Sequence, residues 1–267
     1  SYRGGKALFD LACARPEPLP FFGELGAINP VFVLPAALGA RGAAIAEGWA
    51  GSLTMGVGQF CTNPGVVVLP AGPEGDAFAA AAAQALSGAA PGTMLSDGIA
   101  AAYRKGVEDL ANHPGLAPVA GGEAAAIRAG LPAVFQVAAE DWLAAPDLAE
   151  EVFGPAGLLV RVTDAEQTRA VARALAGQLT VTLQMDDADA PAARALMPIL
   201  ERKAGRILAN GFPTGVEVAS AMVHGGPFPA STNFGHTSVG TLAIRRFLRP
   251  VCFQNIPAAL LPGDLRG

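Results

Sequence analysis

Residues 56–70, GVGQFCTNPGVVVLP, join a cysteine-bearing turn to a short apolar run. The run at 65–70 is β-branched, continuous and bounded by glycine and proline, so it predicts a buried strand. Gly56 and Gly58, together with Pro64, precede this run and favour a bend around Cys61 rather than the centre of a strand. This stretch therefore predicts a turn that carries one cysteine and leads directly into the sheet.

Helical and extended patterns alternate outward from this stretch in both directions. Alternation of this kind predicts an α/β fold with a largely parallel sheet flanked by helices. No repeat of fixed period and no long linker interrupts the pattern. Helices are predicted at 1–14, 41–55, 74–88, 96–111, 164–176 and 190–203, and strands at 31–34, 65–70, 116–120, 133–138, 178–184 and 206–209.

Composition narrows the class of protein. The chain has 267 residues, of which 51% are hydrophobic and 15% charged, as expected for a globular protein. Its net charge is −5 and its Lys and Arg residues are scattered, so nucleic acid is not an expected partner. The most apolar stretch, 77–90, is too short to span a bilayer, and no secretory signal opens the chain, so no membrane partner is expected.

Cysteine usage indicates a reducing compartment. The three cysteines are widely spaced, which disfavours a disulfide framework or a Cys-x-x-Cys metal site and favours a cytoplasmic location. No HxxE motif or Cys/His cluster at ligand spacing is present, so no metal is expected. Cys13 and Cys252 are predicted to fill the core. Cys61 has two interpretations: a small buried hydrophobe, or a nucleophile whose thiolate is stabilised by backbone amides in its turn.

Glu24 is the candidate base. It lies in FFGELG with no Lys or Arg close in sequence, and burial among apolar groups would raise the pKa of its carboxyl towards neutrality. The alternative is a loop carboxylate that points to solvent. His224 and His236 are interpreted as surface hydrogen-bonding groups in loops, and His113 as a turn residue.

Three motifs carry a family resemblance. FFGELGAINP at 21–30, GQFCTNPG at 58–65 and EEVFGP at 150–155 resemble, in order and approximate spacing, three signatures of the aldehyde dehydrogenase superfamily. Residues 210–232 and 237–257 resemble the branch that contains α-ketoglutaric semialdehyde dehydrogenases and NADP-dependent fatty aldehyde dehydrogenases. The resemblance implies a catalytic domain of the aldehyde dehydrogenase type together with the edge of a Rossmann-type cofactor domain.

The resemblance also implies roles for individual residues. Cys61 would add to the aldehyde carbon, and the resulting thioester would be hydrolysed by a water that Glu24 deprotonates. Glu151 would hold the nicotinamide ribose of NAD or NADP, with Phe153 beside the nicotinamide ring.

Three further residues, Ser1, Gly5 and Leu25, would contact the cofactor from the edge of its domain. Ser1 and Gly5 would be the last of the contacts to its phosphates.

The resemblance further implies that this chain is the C-terminal half of such an enzyme and would be nearly inactive alone. We expect residues 1–26 to form the edge of the cofactor domain, 27–240 the catalytic domain and 241–267 an oligomerisation tail. A homodimer or homotetramer is expected. The alternatives are a catalytically inactive structural or assembly module, a fatty aldehyde dehydrogenase, and a cysteine acyl-transfer enzyme, which the ribose motif speaks against.

Overall fold

The computed structural model describes residues 1–122 and 126–266. The α-helices it contains are α1 (Tyr2–Cys13), α2 (Pro35–Thr54), α3 (Pro73–Ser87), α4 (Asp97–Ala111), α5 (Ala139–Ala144), α6 (Ala165–Ala174) and α7 (Ala190–Leu200). The strands are β1 (Val31–Val33), β2 (Val66–Pro70), β3 (Gly92–Thr93), β4 (Ala117–Ala120), β5 (Ala129–Gly130), β6 (Ala133–Ala138), β7 (Ala156–Val162), β8 (Gln178–Gln184) and β9 (Ala204–Ala209).

Seven of these strands form the main sheet, in the order β4-β6-β7-β2-β1-β8-β9. All neighbouring pairs are parallel except β4 with β6, which is antiparallel. The α/β fold with a largely parallel, helix-flanked sheet is confirmed.

Both faces of the sheet are covered by helices, and strand β2 shows this because its residues are apolar and buried on both sides. In β2, Val67 and Leu69 pack with Trp49 and Phe78 of α2 and α3. The alternating residues of the same strand face the opposite core, which includes side chains of α5, α6 and α7. A parallel sheet buried on both faces needs such continuous apolar strands.

The sequence prediction lacks α5 and the strands β3, β5 and β7, and it places the start of α2 too late. Strand β7 at the middle of the sheet was not predicted, although its apolar run AGLLVRV is bounded by Pro155 and Asp164 as a strand should be. Helix α2 begins at Pro35, six residues before the predicted start, and contains one non-helical residue, Arg41, with φ −146°. Proline is accommodated at a first helical turn because its missing N–H would have no partner there.

The sheet brings three separate loops to one edge. Residues 24–30 precede β1, residues 56–65 precede β2, and residues 150–155 precede β7. Because these three strands are parallel, the loops meet at the edge where the strands begin, which we call the amino edge. The three sequence motifs therefore converge in space.

The two ends of the chain pack little. Helix α1 contains no buried residue. The described part of the tail, residues 241–266, has only short 3₁₀ turns and exposes a series of large apolar side chains: Leu242, Ile244, Phe247, Leu248, Val251, Phe253, Ile256, Leu260 and Leu265. Cys13 and Cys252 are exposed, so the prediction that they fill the core is wrong: α1 and the tail have no protein layer over them.

Within residues 1–122 and 126–266, no helix combines the length and the apolar character needed to cross a membrane.

Candidate active site

The turn that leads to Cys61 has a strained backbone, because the β-branched Val57 adopts a left-handed conformation between two glycines. Gly56, Val57 and Gly58 have successive φ values of 57°, 59° and 65°, in the left-handed region. A Cβ on Gly58 would lie 2.3 Å from the carbonyl carbon of Gly154, in the EEVFGP loop. Glycine at 58 thus permits both the turn and its close contact with the neighbouring motif.

A buried amide fixes this loop to the sheet. Asn29 is fully buried, and its Nδ2 donates to the carbonyl oxygens of Cys61 and Asn63, each at 3.0 Å. Its Oδ1 accepts from the backbone N–H of Thr180 in β8 at 3.2 Å. Sequence reasoning did not single out Asn29. The available signal was one amide side chain directly before the apolar run of β1, since a buried amide must find partners.

Cys61, His224 and Glu24 form a compact cluster at the amino edge. The Nε2 atom of His224 lies 3.3 Å from the Sγ atom of Cys61 and 3.4 Å from the Oε2 atom of Glu24. The Ser238 hydroxyl donates to the other carboxylate oxygen, Oε1 of Glu24. Cys61 is accessible to solvent, whereas the His224 side chain is 4% exposed. The cluster is therefore open on the side of the sulfur.

His224 is held in place through its backbone. Its N–H donates to the Thr237 hydroxyl and its carbonyl accepts from the N–H of Ser238, each at 2.8 Å. The glycines that follow it pack on the strand starts: a Cβ on Gly205 would lie 2.2 Å from the carbonyl oxygen of Gly225. The interpretation of His224 as a surface group is wrong, because this loop folds back over the amino edge.

Hydrogen bonds and charge interactions within the cluster shift the pKa values of His224 and Glu24. The hydrogen bond with Cys61, and then that with Glu24, raises the pKa of His224 to about 9, against the opposing effect of burial. For Glu24, burial acts to raise the pKa, but hydrogen bonds from His224 and Ser238 bring it below its ordinary value. The expectation that burial raises the Glu24 pKa is therefore wrong, since two donors from a distant loop outweigh desolvation.

Glu151 lies beside the loop that carries Glu24. Burial raises the pKa of Glu151 to about 7, against the opposing effects of the positive charge of the Ser1 amino group and of the nearby Ala27 backbone N–H. A Cβ on Gly26 would lie 2.9 Å from Oε2 of Glu151, so glycine allows this approach. Phe153, two residues further on, is 39% exposed. The carboxyl and the exposed ring occupy the same loop, next to the Cys61 turn.

The remaining predicted cofactor residues are Ser1 and Gly5, at the start of α1, and Leu25, which packs against Gly5. Ser1 is exposed at the N-cap of α1, and Gly5 packs so closely that a Cβ there would lie 2.3 Å from Cδ2 of Leu25. Leu25 is buried, and its N–H donates to the Ala230 carbonyl at 3.1 Å. The start of α1 therefore lies against the loop that carries Glu24.

His236 stands apart from the reactive cluster. Its Nδ1 atom lies 3.0 Å from Oδ1 of Asn233, and its ring packs edge-on against Phe22. His113 lies in a bend at the end of α4, 3.7 Å from a carboxylate oxygen of Asp147, as a turn residue should.

Solved structures share this architecture. A γ-glutamyl-γ-aminobutyraldehyde dehydrogenase from Burkholderia cenocepacia superposes with a TM-score of 0.75 and 20% identity, over 92% of this chain and 49% of that one. An aldehyde dehydrogenase C variant from Pseudomonas syringae, complexed with NAD+ and octanal, gives a TM-score of 0.72 and 19% identity, over 93% and 50%. The fold is therefore that of the aldehyde dehydrogenases.

Sequence comparison finds relatives with higher identity than these solved structures. The α-ketoglutaric semialdehyde dehydrogenase 2 of Azospirillum brasilense is 56% identical over all of this chain and 51% of its own length. The α-ketoglutaric semialdehyde dehydrogenase of Acinetobacter baylyi is 47% identical over the same shares. No family model matches the chain. The resemblance carried by the three motifs is confirmed, and the chain spans about half the length of the curated relatives it matches.

Proposed function

We propose that this chain is the catalytic, C-terminal half of an NAD(P)-dependent aldehyde dehydrogenase that oxidises α-ketoglutaric semialdehyde to the carboxylic acid. The observation that carries the proposal is the cluster in which His224 Nε2 lies between the Cys61 sulfur and the Glu24 carboxylate. An accessible thiol next to a base is the arrangement that covalent acyl chemistry needs.

Cys61 is the nucleophile and His224 takes its proton. The 3.3 Å contact between Sγ and Nε2 is short enough for direct proton transfer. A His224 pKa of about 9 makes the ring a stronger base than an ordinary imidazole, and once protonated its positive charge favours negative charge on the sulfur beside it. The thiolate then adds to the aldehyde carbon to give a thiohemiacetal on Cys61.

A bound nicotinamide supplies the acceptor for the hydride that leaves this carbon. The residues of the chain that would hold such a cofactor are Glu151, through its carboxylate to ribose hydroxyls, and Phe153, through its exposed ring. The fit is supported by the position of the Glu151 carboxyl, which is partly buried beside Gly26 and lies in the same loop as the exposed Phe153 ring.

Ser1, Gly5 and Leu25 complete the proposed cofactor edge. Gly5 packs against Leu25, so the start of α1 and the loop that carries Glu24 would contact the same bound cofactor.

Glu24 acts in the second half of the reaction. Once the thioester has formed, Glu24 accepts a proton from the water that attacks it, and His224 protonates the departing sulfur. Because the Glu24 pKa is lowered, its carboxylate is available as an acceptor throughout the neutral range. A single imidazole nitrogen that contacts both groups connects the two half-reactions.

The names of two sequence relatives support the proposed substrate. The relatives from Azospirillum and Acinetobacter are both named for α-ketoglutaric semialdehyde. These names support a semialdehyde over the alternative of a fatty aldehyde. The assembled cluster argues against the alternative of an inactive structural module.

The proposed division of the chain has three parts. Residues 1–26 form the edge of the cofactor domain, consistent with the fully unburied α1. Residues 27–240 form the catalytic domain, and 241–267 form a tail for a homodimer or homotetramer, which the exposed apolar side chains of the tail support. Three free cysteines, one of them reactive, support a cytoplasmic location.

The test is a rate comparison on the protein expressed at its natural length. Oxidation of α-ketoglutaric semialdehyde, succinic semialdehyde and a long aliphatic aldehyde is followed with NAD and with NADP. We expect the highest kcat/KM with α-ketoglutaric semialdehyde, and a mass increase on the Cys61 peptide when turnover is quenched. A faster long-chain aldehyde would contradict the substrate, and an unmodified Cys61 peptide would contradict the mechanism.

A further inference from the structure

The cluster at the amino edge offers the types of ligand that zinc takes in proteins. A thiolate, an imidazole and a carboxylate are all zinc ligands, and zinc sites with three protein ligands keep a fourth position for water. One ligand atom each from Glu24, Cys61 and His224 lies within 4.8 Å of the other two. The three residues are far apart in sequence, so a search for closely spaced ligands predicts no metal here.

Two of the three distances within the cluster are close to those of a tetrahedral zinc site. With Zn–S of about 2.3 Å and Zn–N and Zn–O of about 2.1 Å, tetrahedral angles place sulfur about 3.6 Å from nitrogen and nitrogen about 3.4 Å from oxygen. The observed separations are 3.3 Å from Cys61 Sγ to His224 Nε2 and 3.4 Å from Nε2 to Glu24 Oε2. The third pair, the Cys61 sulfur and the Glu24 carboxylate, lies within 4.8 Å, and zinc binding requires these two atoms to be about 3.6 Å apart.

The surroundings orient two of the three ligands. The Ser238 hydroxyl donates to Oε1 of Glu24, which leaves Oε2 facing His224. The Thr237 hydroxyl accepts from the backbone N–H of His224 and so holds the loop that carries this ligand. Such partners raise metal affinity by holding the ligands in position.

One feature limits the affinity. The Nδ1 atom of His224 is buried and has no hydrogen-bond partner within the described residues. A zinc-bound imidazole normally donates its second N–H to an acceptor, and loss of that acceptor costs about 10–100-fold in affinity. The accessible sulfur also leaves the ion open to chelators. Both features favour reversible binding over a permanent structural metal.

We propose that Cys61, His224 and Glu24 form a reversible zinc site that blocks the reactive thiol. Zinc takes the place of the proton that His224 shares with its two neighbours and binds the sulfur lone pair that would attack a carbonyl carbon. The inference goes beyond the dehydrogenase reaction, because zinc binding requires neither cofactor nor aldehyde. Its consequence is inhibition that a chelator reverses.

Direct metal binding tests the proposal on the natural-length protein without cofactor or aldehyde. Zinc is titrated in competition with a chromophoric chelator, and cobalt is used as a spectroscopic substitute. We expect one equivalent of zinc, a sulfur-to-cobalt charge-transfer band, and at least about tenfold weaker binding in Cys61→Ser and in His224→Ala. The matched controls Cys252→Ser and His236→Ala should bind as the parent does. Undiminished binding in both cluster variants would overturn the proposal.

Alkylation of the parent protein gives a measurement that does not depend on the folding of a variant. Iodoacetamide labelling of the Cys61, Cys13 and Cys252 peptides is compared by mass spectrometry with and without zinc. We expect zinc to slow labelling of Cys61 at least about tenfold, a chelator to restore it, and the two exposed cysteines to be unaffected. Equal labelling of Cys61 in zinc would refute the site, even in a protein that oxidises aldehydes normally. Protection of Cys61 in a protein that oxidises no aldehyde would refute the proposed function alone.

Discussion

The two edges of the parallel sheet are built differently, although the same strands form both. Open α/β sheets usually bind ligands beyond the carboxyl ends of their strands. In this protein the cleft at that carboxyl edge is lined mainly by apolar side chains, among them Val33, Leu34, Val68, Pro70 and Leu196. The accessible thiol and its partners gather at the amino edge instead.

Polar groups at the carboxyl edge stabilise helix starts. The Asp189 carboxylate accepts from the N–H groups of Ala36 and Ala37, each at 2.9 Å, and the Asp164 carboxylate accepts from the N–H of Gln167 at 2.8 Å. These bonds satisfy donors that a helix N-terminus leaves free. At the amino edge, by contrast, Cys61, His224 and Glu24 face one another. The comparison teaches that the partners of the polar groups, rather than the edge of the sheet, decide where chemistry is possible.

The largest expected effect is on the rate of aldehyde oxidation when the cysteine at the amino edge is replaced. Cys61→Ala should lower kcat for aldehyde oxidation by at least about 10³-fold, because it removes the thiol that lies against His224 and would carry the acyl group. Steady-state rates on the natural-length protein measure this loss. The exposed Cys252 provides the control, and Cys252→Ser should keep the parental kcat. Parental rates in Cys61→Ala would remove this cysteine from the mechanism and the amino edge from its role.

Glu24→Gln separates the two half-reactions at the amino edge. The amide cannot accept a proton from water, so hydrolysis of the thioester should slow by about 10²-fold or more. The acyl group should then accumulate on Cys61, and mass spectrometry of the enzyme during turnover would detect it. Hydrolysis at the parental rate would show that another group activates the water.

Two glycines, one at each edge of the sheet, allow the free energy of unfolding to be compared between the edges. Gly58, at the amino edge, and Gly72, at the carboxyl edge, both have positive φ, of +65° and +100°. A Cβ would meet the Gly154 backbone at 2.3 Å in the first case and nothing within 4 Å in the second. Gly58→Ala should therefore lose about 3 kcal/mol or more of unfolding free energy, and Gly72→Ala about 1–2 kcal/mol. Urea denaturation measures both, and equal losses would contradict the tight packing of the Cys61 loop.

The smallest expected effect concerns pH and Glu151. With a pKa of about 7, this carboxyl changes from mostly protonated to mostly ionised between about pH 6 and 8. If its carboxylate accepts from ribose hydroxyls, cofactor affinity should rise by up to about tenfold over that interval. Glu151→Gln should bind cofactor more weakly at pH 8 and show little pH dependence. Fluorescence titration of the nicotinamide at several pH values measures this, and a flat parental profile would contradict the assignment.

The same carboxyl predicts the sign of a stability change. Its folded pKa lies above the ordinary value of 4.5, so the native state binds the proton more tightly than the unfolded chain. This contribution to stability is complete below about pH 4.5 and is lost as the pH rises through about 7. Glu151→Gln, which cannot ionise, should therefore gain stability relative to the parent over that range, and thermal unfolding across pH would record the gain.

Sequence patterns gave most of the fold because each pattern is local. The strands at 133–138 and 178–184 match their predicted bounds, since apolar runs bounded by turn residues depend only on neighbouring positions. Strand β7 shows the limit of this reasoning: its run directly follows the EEVFGP motif, and it was not assigned as a strand although its composition allowed it.

The candidate site was only partly predictable. Cys61, Glu24 and Glu151 were found because motifs mark them in the linear sequence. Asn29 was not singled out, and His224 was interpreted as a surface group, because their contacts join segments more than 30 and more than 160 residues apart, respectively. The sign of the Glu24 pKa shift was missed for the same reason, as both donors that lower it lie in the loop beyond residue 220.

The sequence by itself determined the α/β class, the turn at Cys61 and the order of the three motifs, since glycine, proline and apolar periodicity act through the local backbone. Tertiary structure alone decided that an imidazole from a distant loop lies between the thiol and the carboxylate. Hydrogen bonds and charge interactions depend on separations of a few ångströms. Only the folded sheet, which brings its loops to one edge, sets those separations.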